Sequence, residues 1–152
     1  LKPKSCRIHQ SGLIKMEDKK MKLINVMQAR DALAKLTDTH FTSYKILREL
    51  VKLKKRVDEE YEFYSTQEQK AVDTYAEKTE DGQLVFIDGG RLKLKDVKSK
   101  QAFDVEIAKL NETELDDIPT VTIHESDFRS AADFPTATDM LLLSEIIIFE
   151  EG

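Results

Sequence analysis

Cysteine is almost missing from this chain. The single one, Cys6, cannot form an internal disulfide, and such usage makes a reducing cytoplasm the default compartment. Tryptophan is absent, and 152 residues hold only three prolines and five glycines. With 40% hydrophobic and 35% charged residues, that scarcity of breakers excludes a disordered chain and suits a helix-rich globular domain. Long apolar runs are also lacking. The longest, Met140 to Phe149, is broken by Ser144 and Glu145 and falls well short of the ~20 residues that span a bilayer. The N-terminus carries no signal-peptide core, so no membrane contact is expected. No repeat appears. The length fits one domain with a real core.

Charge is present in quantity but unevenly spread. The formal net charge is −5. From Asp104 to Gly152, thirteen acidic residues face two basic ones, Lys109 and Arg129, a net of −11. The middle of the chain is richer in cations: Lys52, Lys54, Lys55 and Arg56, then Arg91, Lys93, Lys95, Lys98 and Lys100. Such asymmetry can steer a partner. The simpler reading is two solvated faces of one acidic domain.

The most informative stretch is Thr42 to Ala76, which contains neither Gly nor Pro. Leu47, Leu50, Val57, Tyr61, Tyr64, Ala71 and Tyr75 fall on a three-four repeat, interrupted at Lys54 and Glu68. That spacing predicts one amphipathic helix with an apolar stripe, about 50 Å long at 1.5 Å per residue. Such a rod needs a partner helix, from this chain or another, to cover its stripe.

The flanking signals predict an α+β domain from 21 to 152. Lys22-Leu23-Ile24 reads as a short extended lead-in. Asn25 is a candidate N-cap with Gln28 at the capping-box position. Val26, Ala29, Leu33 and Leu36 mark a first helix ending near Thr37. The short break at Asp38-Thr39-His40, with Thr42 or Ser43 as the next cap, predicts a helical hairpin of unequal arms. Glu80-Asp81-Gly82 is a turn. Leu84 to Ile87 and Arg91 to Lys95 flank Asp88-Gly89-Gly90, a β-hairpin signal. Val97 to Glu112 reads as a crossing helix with Phe103, Ile107 and Leu110 facing in. Thr120 to His124 is a strand after Pro119, and Ser126 to Phe134 is irregular. Thr136 to Leu143 is a short helix that begins Thr-x-x-Asp. Glu145 to Glu150 is a last strand. The strands are expected to form one small antiparallel sheet.

Candidates for chemistry are few. His124, Glu125 and Asp127 are all metal-binding types, but His124 and Glu125 are adjacent on a strand and point to opposite faces. A solvated strand end explains them more simply. His40 beside Asp38 resembles an acid-base pair, yet lies where a turn wants polar residues. Asp116-Asp117 is a polar connector. Asp88-Gly89-Gly90 lacks the following helix and Lys-Ser/Thr of a phosphate loop. The cations could touch nucleic acid, but the chain is acidic, lacks Trp and shows no nucleic-acid motif. The aromatics Tyr61, Phe63, Tyr64 and Tyr75 serve helix packing before base stacking. No catalysis, no metal, no cofactor and no nucleic acid are expected.

Residues 1 to 20 lack clear periodicity. Met16-Glu17-Asp18-Lys19-Lys20-Met21 can be encoded by ATG-GAG-GAT-AAA-AAG-ATG, which contains the purine-rich GGAGG of a bacterial ribosome-binding site shortly before Met21. The expectation is a translated leader outside the fold, a natural start at Met21, and a bacterial or phage source. Cys6 and His9 then have no function. Six cations and two anions leave with residues 1 to 20, taking the charge from −5 to −9.

The order of these signals resembles a family of small uncharacterised proteins, a domain of unknown function, from tailed phages and prophages of Gram-positive bacteria. The matching residues are Met21-Lys22-Leu23-Ile24-Asn25, the helix through Ala29, Leu33 and Leu36, and the long charged helix ending Tyr75-Ala76-Glu77-Lys78. Glu80-Asp81-Gly82-Gln83, the Phe103 to Leu110 helix, Ile118-Pro119 and the apolar, acidic close Asp139 to Glu151 complete them. Ser126 to Phe134 has no counterpart in that pattern. The resemblance implies a phage origin, and a setting in the bacterial host cytoplasm or the virion. It supplies no catalytic residues. The expected role is a structural, assembly or accessory protein acting through protein contacts. The alternative is a small acidic inhibitor of a host enzyme or defence complex, its C-terminal third acting as a decoy for nucleic acid. Self-association is expected through the distal half of the long helix, at Val57, Tyr61, Tyr64, Ala71 and Tyr75. An antiparallel homodimer would set Lys54 to Arg56 beside Asp58 to Glu60.

Overall fold

The computed structural model describes residues 20–151. The leader expectation, with Cys6 and His9, lies outside the described residues except at Lys20. The architecture is α+β: a helical hairpin with one long arm, a second helix folded back along that arm, and short strand pairs.

Strand β1 (Met21–Lys22) leads directly into helix α1 (Leu23–Thr37). Leu23, Val26, Ala29, Ala32, Leu33 and Leu36 are buried, on the helical three-four spacing. The helix starts two residues before the expected Asn25 cap. The reason is a distant partner: the Leu23 N–H donates to the Thr113 carbonyl at 2.8 Å, so backbone does the capping. Asn25 instead donates from Nδ2 to Glu145 Oε2 at 2.8 Å.

The connector places Phe41 against Phe128, ring centroids 5.3 Å apart. Ser43 then caps helix α2 (Tyr44–Tyr75), its Oγ accepting from the Lys45 N–H at 3.0 Å. Thirty-two residues make a rod of roughly 48 Å. Its buried residues are Ile46, Leu50, Leu53, Val57 and, far along, Ala71. The apolar face therefore runs through Leu53, which the three-four stripe drawn from Leu47 leaves out. Arg30 of α1 reaches Asp58 of α2, Nε to Oδ1 at 3.1 Å, as an antiparallel hairpin requires.

Beyond α2 three extended segments close on one another. The Glu77 N–H donates to the Lys93 carbonyl (2.9 Å), the Lys93 N–H to the Val85 carbonyl (2.9 Å), and the Val85 N–H to the Glu77 carbonyl (3.3 Å). Within this cluster β2 (Phe86–Ile87) and β3 (Arg91–Leu92) are antiparallel. The turn between them, Asp88-Gly89-Gly90, has φ of 81° at Gly89 and 75° at Gly90, values that side chains disfavour. Asp96 then caps helix α3 (Val97–Asn111), its Oδ1 accepting from the Ser99 N–H at 2.7 Å. That short bond holds its carboxyl below the ordinary carboxylate range. Helix α3 returns along the distal half of α2: the Lys95 N–H reaches the Tyr75 carbonyl near its start, and Asn111 meets Tyr64 at its end. Leu110 is buried, while Phe103 and Ile107 are half-buried.

Strand β4 (Glu114–Leu115) pairs antiparallel with β1. Strand β5 (Val121–His124) leads through two short turns to helix α4 (Ala137–Leu143), capped by Thr136 Oγ1 accepting from the Asp139 N–H at 3.1 Å. Strand β6 (Ile147–Glu150) follows and lies parallel to β5, Val121 opposite Ile147. In place of the single small antiparallel sheet expected from the alternation, the described residues form three separate two-stranded pairs, one of them parallel. The β5–α4–β6 crossover is what permits parallel pairing.

The core gathers around α1, the first half of α2, Ile118, Val121, Ile123, Leu143, Ile146 and Ile147. Beyond Val57, α2 buries only Ala71. The domain thus has a dense proximal end, near Tyr44, and a thinly packed distal end, near Tyr75.

Candidate interaction surface

The expected strip on α2 is not an open surface. Val57 is fully buried in the core, and Ala71 is buried at 8% exposure, beneath α3. Tyr64 is half-buried and donates from its hydroxyl to Asn111 Oδ1 at 2.7 Å. Burial, then the Glu68 carboxylate, push its phenol pKa up. Tyr75 is half-buried in the groove between α2 and α3. Tyr61 is 39% exposed, with the Arg30 guanidinium 3.8 Å from its ring centroid. α1 and α3 cover Val57 and Ala71 from within the chain, whereas Tyr61 and nearby Phe63 keep 39% and 47% of their surface exposed.

The charges expected to pair between copies are also engaged internally. Lys54 Nζ lies 2.8 Å from Asp58 Oδ2, and Asp58 also takes Arg30. Burial pushes the Asp58 carboxyl up, but the hydrogen bonds from Lys54 and Arg30 outweigh it and hold the pKa below its ordinary value. Arg56 bonds Glu60 on its own helix and Asp117 at 2.7 Å.

The candidates for chemistry lie in turns and at a strand end. Asp127 Oδ2 accepts the His124 backbone N–H at 2.8 Å, closing a turn. His124 Nδ1 lies 3.5 Å from Glu150 Oε1. Among the described residues no group of three His, Cys, Asp or Glu could hold a metal ion. The His40 carbonyl accepts the Arg129 N–H at 3.1 Å, which ties the helix connector to the loop after β5. No helix among the described residues is long and apolar enough to cross a membrane.

Large apolar side chains are exposed at both ends of α2, as well as at Val51, Tyr61 and Phe63 along it. At the distal end an open trough of about 750 Å³ runs between the β2–β3 turn and α3, lined by Ile87, Leu92, Leu94, Val97 and Phe103. Its rim carries Arg91, Lys93, Lys95 and Lys100 against Asp96 and Asp104. Val97 is 74% exposed and Phe86, nearby, 59%. At the proximal end a pocket of about 320 Å³ is lined by Ile123, Phe128, Phe134, Met140 and Phe149. Its charged lining is wholly acidic: Glu125, Glu150 and Glu151. Leu141, beside Met140 on α4, is 75% exposed and lines a separate groove against α1.

These residues were missed because attention to periodicity favours long elements. One signal was available. Met140-Leu141-Leu142-Leu143 places four apolar residues in succession on a two-turn helix, and a surface helix buries only one stripe, so part of that run had to face outward. No protein family, curated protein or solved structure matches this chain.

Proposed function

We propose that this chain is a phage or prophage structural, assembly or accessory protein that acts through protein contacts, in the bacterial host cytoplasm or on the virion. The observation that carries the reading is the pair of exposed apolar surfaces at opposite ends of α2. Large apolar side chains left together on a surface, ringed by charge, mark interaction sites more often than accident. The phage setting rests on the resemblance of the chain's signal order to small tailed-phage proteins. The chemistry in this reading is recognition, with no bond made or broken.

The acidic pocket rim, within the −11 segment from Asp104 to Gly152, favours the second reading, a small inhibitor that occupies a basic surface of a host enzyme or defence complex. One experiment separates the two. Tagged chain is recovered from phage-producing cells, beside the surface variants Val97→Asp and Met140→Asp. Recovery of a virion or assembly protein, lost with either variant, supports the first reading. Recovery of a host enzyme, lost at high salt, supports the second. Nothing recovered with the natural chain beyond what both variants recover overturns the protein-contact reading.

A further inference from the structure

We infer that the partner of each end is a second copy of this chain, with the distal trough of one molecule seated on the proximal pocket of another. This rests on the protein-contact reading above and names its partner. The ends are fixed in place by the fold. The trough is tied to the C-terminus of α2 by the Lys95 N–H on the Tyr75 carbonyl. The pocket is tied to its N-terminus by the Thr42 N–H on the Asp127 carbonyl, 2.8 Å, and by Phe128 against Phe41.

Charge decides which surfaces meet. Trough on trough would bring together two rims that each carry four cations against two carboxylates, an excess of like charge, and pocket on pocket would oppose three carboxylates with three. Like charges face to face disfavour both. Trough on pocket instead brings the basic rim to the acidic one, with apolar residues between. Among the described residues, Arg91 and Lys95 have no carboxylate partner. Arg91 Nε donates to the Asp88 carbonyl and Lys95 Nζ to the Thr74 carbonyl. Glu125 and Glu151 make no ion pair among the described residues either. Those four groups are available to set the register. The contact is heterologous, one surface on a different one, and closes or extends according to the angle it imposes.

The test is sedimentation velocity on the natural chain and two charge-reversed variants, Arg91→Glu/Lys95→Glu and Glu125→Lys/Glu151→Lys, each checked for a native melt. The natural chain associates, and its association weakens as salt rises. Each variant alone loses association by about tenfold or more, as exposed pairs turn from attraction to repulsion. Mixing the two variants restores association, because each reversed rim then meets its complement. A natural chain that stays monomeric across micromolar concentrations overturns the inference, yet leaves contact with a different protein standing. So does a proximal variant that associates like the natural chain, which would place distal surface on distal surface. If a reversed variant fails to fold, Arg91→Gln/Lys95→Gln replaces it. Undiminished, salt-independent association in that variant also overturns the inference.

Discussion

Leu53→Ala probes the face of α2 on which the fold is built. Leu53 is fully buried, four residues before Val57 and three after Leu50. Truncation removes three carbons from the core, a transfer loss of roughly 2.4 kcal/mol at ~0.8 kcal/mol per carbon. The cavity left in a dense proximal core raises this, so the total should fall within about 2–5 kcal/mol. Domains of this size are stable by only about 5–15 kcal/mol, so the variant should unfold at distinctly lower urea. The assay is urea denaturation followed by far-ultraviolet dichroism, natural chain against variant. The slope should hold while the midpoint falls. Val51→Ala is the control, since Val51 is 52% exposed and its truncation should stay within ~0.5 kcal/mol. A Leu53 effect of that small size, with a larger one at Val51, would refute the placement of the buried face.

Tyr64→Phe should cost about 0.5–1.5 kcal/mol through loss of the hydrogen bond to Asn111, measured by the same denaturation. In the natural chain the Tyr64 phenol should titrate above ordinary tyrosine by ultraviolet absorbance. A raised folded pKa means that its stabilisation is present below the unfolded pKa and is lost as pH rises through the folded one. Asp58 behaves oppositely. Its depressed pKa gives stability that is present above the unfolded carboxylate value and fades as pH falls through the folded one, below about pH 4. Asp58→Asn should therefore flatten the acid limb of a melting-temperature profile, and an unchanged limb would show that Lys54 and Arg30 do not stabilise the carboxylate.

Local signals in the sequence were legible where neighbours in the chain decide the outcome. The long helix, its Ser43 cap, the Asp88-Gly89-Gly90 turn, the crossing helix and the Thr136 cap all follow from residues a few positions apart. Features set by distant partners were not legible. The start of α1 depends on Thr113, ninety positions away. Parallel pairing of β5 and β6 depends on a crossover, and an Ile-Ile-Ile-Phe run reads the same in either direction. The buried face of α2 shifts to Ile46, Leu50, Leu53 and Val57 because α1 approaches from that side. The expected interaction surface is a related case. Val57, Tyr61, Tyr64, Ala71 and Tyr75 share one helix face, but periodicity cannot say whether α3 or a second chain will cover it.

The proposed function places contact at the two ends of α2 and not along its middle. A photo-crosslinking amino acid placed singly at Phe86, Val97, Phe134, Leu141 and, mid-rod, Glu59 tests it directly, with adducts resolved by mass in phage-producing cells. Discrete protein adducts are expected from positions at the ends and none from Glu59. Adducts from Glu59 alone, or from no position at all, would contradict it.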